Sequence, residues 1–231
     1  MAKKKQNVIT KVADLVAKVV LEDSFKIELM YRGQTNAEWQ LIPQIDRPSF
    51  VSYRERHKMT RREHEYKLLE DFRNTALPHL ALQPQNRWQE LALAQHHGLA
   101  TRLLDWTLNP LVALYFAVCD DANTDSAIWC YEHLGRHSTN HLDPLSIDRP
   151  VMYEPPHITA RITSQSGKFI ACPSGASLAG LEKAPTKLIV PNANRLNLKK
   201  QLAALGINES TLFPGLDGTA RNTNWNYSLC H

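Results

Sequence analysis

The stretch HHGLATRLLDWTLNPLVALYFAV, His96 to Val118, sets an arginine, an aspartate, a tryptophan and a threonine inside an otherwise apolar run. An ion taken out of water costs several kcal/mol unless it is paired or turned toward a wet cleft. Arg102 and Asp105 therefore mark either a structural ion pair or a site. TRLLDWT reads as a short extended segment, and residues three apart on a strand point to opposite faces, so these two cannot simply pair with each other. Asn109 followed by Pro110 has the form of a helix N-cap and first helical residue, opening a helix Leu111 to Cys119. Thr107 lies just before that helix, near free backbone N–H groups that suit an anionic ligand group.

Upstream, Trp88 to His97 reads as a helix that Gly98 stops. Gln95, His96 and His97 sit at its negative end, where an imidazolium is favoured. Adjacent histidines do not share a helix face, and no carboxylate stands at ligand spacing, so no metal site is expected. Further back, Tyr53 to Arg73 carries both signs of charge, with Tyr66, Leu69 and Phe72 on one face of an expected helix. Val8 to Val20 has the spacing of an amphipathic helix. KIELMYRG alternates as a strand ending at Gly33, with Ile27, Leu29 and Tyr31 on one face and Met30 and Arg32 on the other. Arg32 offers a guanidinium fork for a phosphate or carboxylate, and Gly33 permits a bend or a close approach to a ligand.

Downstream, SAIWCYEHL, KFIAC and TKLIVP read as strands, and Asn194 to Gly206 as another amphipathic helix. In RITSQSGKF, Gln165 offers an amide able to hydrogen-bond a hydroxyl or a base edge in both directions. Helices come early and strands late, without regular βαβ alternation. This favours an α+β fold in one domain, with a mixed or antiparallel sheet around a cleft. The expected division is a basic tail and helix over residues 1–20, followed by the domain proper over 21–231.

The chain has 231 residues, 43% hydrophobic and 22% charged, with a formal net charge of +4. That excess is compatible with a nucleic-acid partner without demanding one. No apolar run approaches the roughly 18–20 residues a membrane helix needs. The N-terminus MAKKKQ has no apolar run behind it, so a cytoplasmic location is the expectation. The four cysteines are scattered, with no C-x-x-C pair, which fits neither a zinc site nor a disulfide framework.

Taken in order, YRGQ (Tyr31 to Gln34), LIPQIDR (Leu41 to Arg47), AQHHGLATRLLDWTLNPLVALYFA, SQSGKF and TLFPGLDGTAR (Thr211 to Arg221) resemble the FRG domain. This family of bacterial and phage-borne proteins is named for a Phe-Arg-Gly motif, here Tyr31-Arg32-Gly33. The resemblance spans roughly residues 20 to 221. A weaker resemblance is to the arginine-serine-glutamate ADP-ribosyltransferases, and it implies an ADP-ribosyltransferase-like fold. In that class an arginine ending the first strand contacts the phosphates of NAD. A Ser/Thr-rich strand supports the nicotinamide ribose, and a late glutamate stabilises the developing sugar cation. The implied roles are the phosphate clamp for Arg32 and the ribose contact for Thr107, with Gln165 in the place of the glutamate.

A neutral amide lacks that glutamate's charge, so Asp105 is the residue that could supply it, polarise an acceptor or orient Arg102. Gly33, Gln34, His97 and Arg102 complete the expected NAD-binding set, and Trp106 reads as either a stacking ring or core. The implied function is ADP-ribosyl transfer to a protein or nucleic-acid acceptor, or NAD hydrolysis, in a toxin or phage-defence setting. A non-catalytic module recognising a nucleotide or nucleic acid is the alternative. No membrane partner is expected.

Overall fold

The computed structural model describes residues 7–19, 28–80, 83–133, 142–156, 163–175, 178 and 180–228. Ile27, Arg161 and Cys230, which figure in the sequence reading, lie outside them, as does the Lys3–Lys5 tail. The described chain begins with helix α1 (Val12–Val19) and strand β1 (Glu28–Gln34). After a 3-10 turn at Gln44–Asp46 come α2 (Pro48–Arg56), α3 (Arg61–Ala76) and α4 (Arg87–His96). Then β2 (Leu103–Thr107), α5 (Pro110–Val118) and β3 (Ser126–His133) follow. Strands β4 (Val151–Tyr153), β5 (Gly167–Ala171) and β6 (Thr186–Val190) precede helices α6 (Arg195–Ala204), α7 (Glu209–Leu212) and α8 (Leu216–Ser228).

The six strands form one sheet in the order β4-β5-β2-β1-β3-β6, and every neighbouring pair is antiparallel. The α+β expectation holds. Helices also follow the last strand, so the early-helix, late-strand order is only partial. Alternation decides what each face buries. On one face, β1, β3 and β6 pack Tyr31, Ile128 and Val190 against α1, α5 and α6. Further along that face, Leu103, Phe169 and Ala171 pack against Leu69 of α3 and Leu91 of α4. The opposite face carries Met30, Leu104, Trp106, Tyr131 and Ile170. Ile9, Val12 and Leu15 share the first of these cores, so α1 is built into the fold.

Two boundaries differ from the sequence reading for identifiable reasons. The charged stretch is two helices, because Thr60 starts α3 with a capping box in which its side chain accepts from Glu63 N and Glu63 answers the Thr60 N–H. Such reciprocal capping outweighs a charge pattern that runs across it. Val8 is extended rather than helical, bridging in parallel to Ile189. Asp14 accepts from Thr10 N and Thr10 Oγ1 at 2.9 and 2.8 Å, which starts α1 later.

Candidate functional site

The sheet splits between β1 and β2. β1 pairs with β3 at all seven positions from Glu28 to Gln34, but with β2 only at Tyr31↔Thr107. Beyond that bridge the strands diverge, and a cavity of about 430 Å³ occupies the gap. Consecutive β1 residues Tyr31, Arg32, Gly33 and Gln34 all line it. Since successive side chains point to opposite faces, a space lined by all four must pass through the sheet, which only a split or an edge allows.

Arg32 fills the root of the split. Its Nη1 donates to the Asp105 carbonyl at 2.6 Å and lies 3.6 Å from Asp105 Oδ2. The Nε is buried without a partner, and no hydrogen bond holds Nη2 among the described residues. The Arg32 side chain is 13% exposed, that of Asp105 60%. Burial pushes the Arg32 pKa down, Asp105 opposes this, and the Arg47 guanidinium adds to it; an arginine keeps its charge through such effects near neutrality. Arg47 lines the same cavity and makes no ion pair among the described residues.

Asp105 is the single exposed residue of β2 and lines the cavity. Gln95 Nε2 donates to its Oδ2 at 3.0 Å, and Thr101 Oγ1 donates to Gln95 Oε1 at 2.6 Å. Thr107 Oγ1 donates to the Gln165 carbonyl at 2.6 Å and accepts from Asn109 N at 3.0 Å. Gln165 turns its Nε2 to the Leu212 carbonyl at 2.9 Å. This ties the cleft wall to the TLFPGLDGTAR segment. The following residue, Ser166, has φ 47°, a left-handed conformation that non-glycine residues adopt mainly where surrounding structure enforces it. Gln34 Oε1 accepts from Trp129 Nε1 at 2.7 Å, holding that amide flat against the sheet.

The structure thus brings together Arg32, Gly33, Gln34, Asp105, Thr107 and Gln165 around one cavity. It removes two members of the expected set. Arg102 is fully buried and forms a two-point pair with Glu65, Nε to Oε1 at 3.0 Å and Nη2 to Oε2 at 2.5 Å. Its charge is neutralised by α3 and it does not reach the cleft. His97 is exposed at the end of α4, and His96 takes the cavity-lining place instead.

Gly33 also has a different reason from the one expected. A Cβ there would lie 2.0 Å from Ala113 O and 2.6 Å from Ala117 N, so α5 packs directly on the strand backbone. Trp106 is 2% exposed and its Nε1 has no partner, yet it touches the cavity. Cys119 also lines the wall, and burial and Asp120 push its thiol pKa up to about 12. Sequence reasoning assigned no role to Arg47 or Trp39. The only signal for Arg47 was its place at the end of LIPQIDR. Among the described residues, no group of three or more His, Cys, Asp or Glu side chains could hold a metal ion, and no helix is long and apolar enough to cross a membrane.

Residues 27–126 match the family model of the FRG domain, and the chain carries an FRG domain there. The match is narrower than the resemblance read from the motifs. It contains both lips of the split and ends at Ser126, where β3 begins, so β3 to β6 complete a sheet that the matched segment starts. No curated protein and no solved structure matches the chain.

Proposed function

We propose that the split between β1 and β2 is a nucleotide-binding cleft that takes NAD, and that the protein is an ADP-ribosyltransferase or NAD hydrolase. The observation that carries this reading is the free edge of Arg32. With Nη1 donating to the Asp105 carbonyl, Nε is buried without a partner and no hydrogen bond holds Nη2 among the described residues. That edge matches two oxygens of a phosphate. Arg47 supplies a second positive charge for a pyrophosphate, and about 430 Å³ falls within the roughly 300–1,000 Å³ usual for small-molecule pockets.

In this mechanism Arg32 holds the pyrophosphate and Asp105 faces the sugar carbon. The bond from that carbon to nicotinamide breaks, with its electron pair leaving on the nicotinamide. Asp105 stabilises the positive charge that develops on the sugar, as preorganised opposite charge does in a partly dry site. Water then adds and releases one proton, giving ADP-ribose, or a hydroxyl, amine or amide of a protein or nucleic acid takes the place of water.

A second reading is a module that binds a nucleotide without turning it over. It is favoured by Thr107, whose hydroxyl proton is given to the Gln165 carbonyl and is not free for a ribose. The test is calorimetric NAD titration together with nicotinamide release, on wild type and Arg32→Ala. A hydrogen bond to a charged group is worth about 1.5–3 kcal/mol, so Arg32→Ala is expected to weaken binding by roughly 10- to 100-fold. Nicotinamide release that disappears in the variant supports transfer or hydrolysis. Binding without release supports the second reading, and absence of both in folded protein removes NAD from consideration.

A further inference from the structure

We propose that Trp39 is the residue on which the adenine ring of the cleft's nucleotide stacks, with Arg47 beside it holding the phosphate next to that ring. The inference rests on the cleft being a nucleotide site with Asp105 and Thr107 at the far ribose, and its ADP arm is read independently of NAD turnover.

Trp39 lines the cavity and is 53% exposed. The other four tryptophans each have a ring or a cation against them: Tyr153 for Trp88, Tyr131 for Trp106, Lys187 for Trp129 and Lys199 for Trp225. Among the described residues no aromatic ring or cation stacks on the Trp39 indole. Its exposure is not the result of a loose loop, because the backbone is fastened on both sides. Ala37 N donates to Asp125 O at 2.7 Å, and Lys187 Nζ donates to the Ala37 carbonyl. Beyond the ring, Gln34 Nε2 donates to Gln40 O at 3.3 Å, and Leu41 packs on the Met30–Trp106 core. What sets Trp39 apart from the other exposed apolar side chains is its place: a flat ring on a fastened backbone, lining the same cavity as Arg32 and Arg47.

The chemistry of the neighbours narrows the ligand. The Nε and Nη2 edge of Arg32 and the guanidinium of Arg47 demand an anion, while the indole demands a flat ring. A nucleobase carried on phosphates has both, and base stacking on an aromatic side chain tolerates any base. The sheet then decides which ring of a dinucleotide is involved. Asp105 and Thr107 lie on the face that packs α5, as their register with Tyr31 and Phe169 requires. The Trp39 loop crosses the other face, over Gln34, Trp129 and Lys187. The ring at Trp39 is therefore the one remote from the reacting carbon, the adenine.

The test is calorimetry of wild type, Trp39→Ala and Trp39→Phe with three probes: ADP, NAD and inorganic pyrophosphate, with nicotinamide release followed in parallel. Trp39→Ala is expected to weaken ADP and NAD by about ten-fold, to leave pyrophosphate at its wild-type affinity, and Trp39→Phe to recover most of the loss. Equal weakening of pyrophosphate would mean that the substitution collapses the lip, and would overturn the inference. So would an ADP affinity unchanged by Trp39→Ala, or a wild type that binds none of the probes. If ADP binds in a Trp39-dependent way while nicotinamide is never released, the inference stands and NAD turnover falls. If nicotinamide is released and Trp39→Ala changes nothing, the reverse holds.

Discussion

Gly33 lies in the segment that matches the FRG domain model, and the sequence alone allows two reasons for it: close approach of a ligand or close approach of a helix. Substituting alanine separates them. The added Cβ would meet Ala113 O at 2.0 Å and Ala117 N at 2.6 Å, whereas ordinary contact begins at 3.4 Å. α5 must therefore retreat by about 1.4 Å (3.4 − 2.0), and both obstructing atoms are backbone, so no side chain can rotate away. The helix cannot move alone, because Val112, Leu114, Tyr115 and Val118 are packed in the same core. Overpacking relieved by side-chain shifts costs roughly 1–3 kcal/mol, and relief by shifting a helix belongs at or above the upper end. With a urea m-value of about 3 kcal/mol/M for a chain of this size, Gly33→Ala should lower the unfolding midpoint by about 1 M. Urea titration followed by tryptophan fluorescence and circular dichroism measures it. A midpoint within about 0.2 M of wild type, combined with lost nucleotide binding, would refute the packing argument and return Gly33 to the ligand.

Two further outcomes follow from buried groups away from the cleft. Glu65→Ala strands the fully buried Arg102, whose remaining acceptor is the Leu145 carbonyl at 3.4 Å; loss of one partner of a buried pair costs about 3–5 kcal/mol, and urea unfolding should show it, with Glu65→Ala/Arg102→Met recovering some of the loss. His64 is buried with Nδ1 unpartnered, and burial, with a contribution from Arg54, lowers its pKa below 6.5. The unfolded chain then takes up this proton before the native one does, so stability is full above the unfolded value and falls as pH drops from about 6.5 toward the native pKa. Urea midpoints between pH 7 and 5 should decline, and more shallowly in His64→Phe; equal slopes for the two proteins would remove His64 as the cause.

What could be read from the sequence was whatever local pattern enforces. β3, β5 and β6 are strand-length runs of five to eight residues rich in apolar and β-branched side chains, and α4 and α5 carry their own N-caps, so each was legible within a residue or two. β4, at three residues, is too short for a period to register. The α2–α3 break depends on a four-residue capping box inside a charge-rich stretch that suits a helix everywhere else. The candidate site divides in the same way. Arg32 was legible because it ends an alternating strand on the polar face and a glycine follows. Trp39 and Arg47 sit on irregular chain with no period at all, and only the folded sheet brings them to the cavity.

The two arginines of the central strands make the physical point most directly. Arg102 and Arg32 each adjoin a buried strand, and each must have its charge met. For Arg102 the answer is Glu65, 37 residues earlier in the chain and on a helix whose docking no local pattern encodes. Both oxygens of that carboxylate are used, and although Nη1 stays buried without a partner, the full opposite charge lies on Arg102 and fixes α3 against the root of β2. For Arg32 the fold offers one backbone carbonyl and the edge of a largely solvated carboxylate. An incompletely met, largely buried guanidinium is unfavourable for the isolated fold, and a few kcal/mol is a large fraction of a domain's stability. Under the proposed function, the same deficit is what an incoming phosphate would relieve. The last pairing between β1 and β2 is at Tyr31, immediately before Arg32, and the divergence that begins there turns the polar residues in an apolar run from a liability into a cleft.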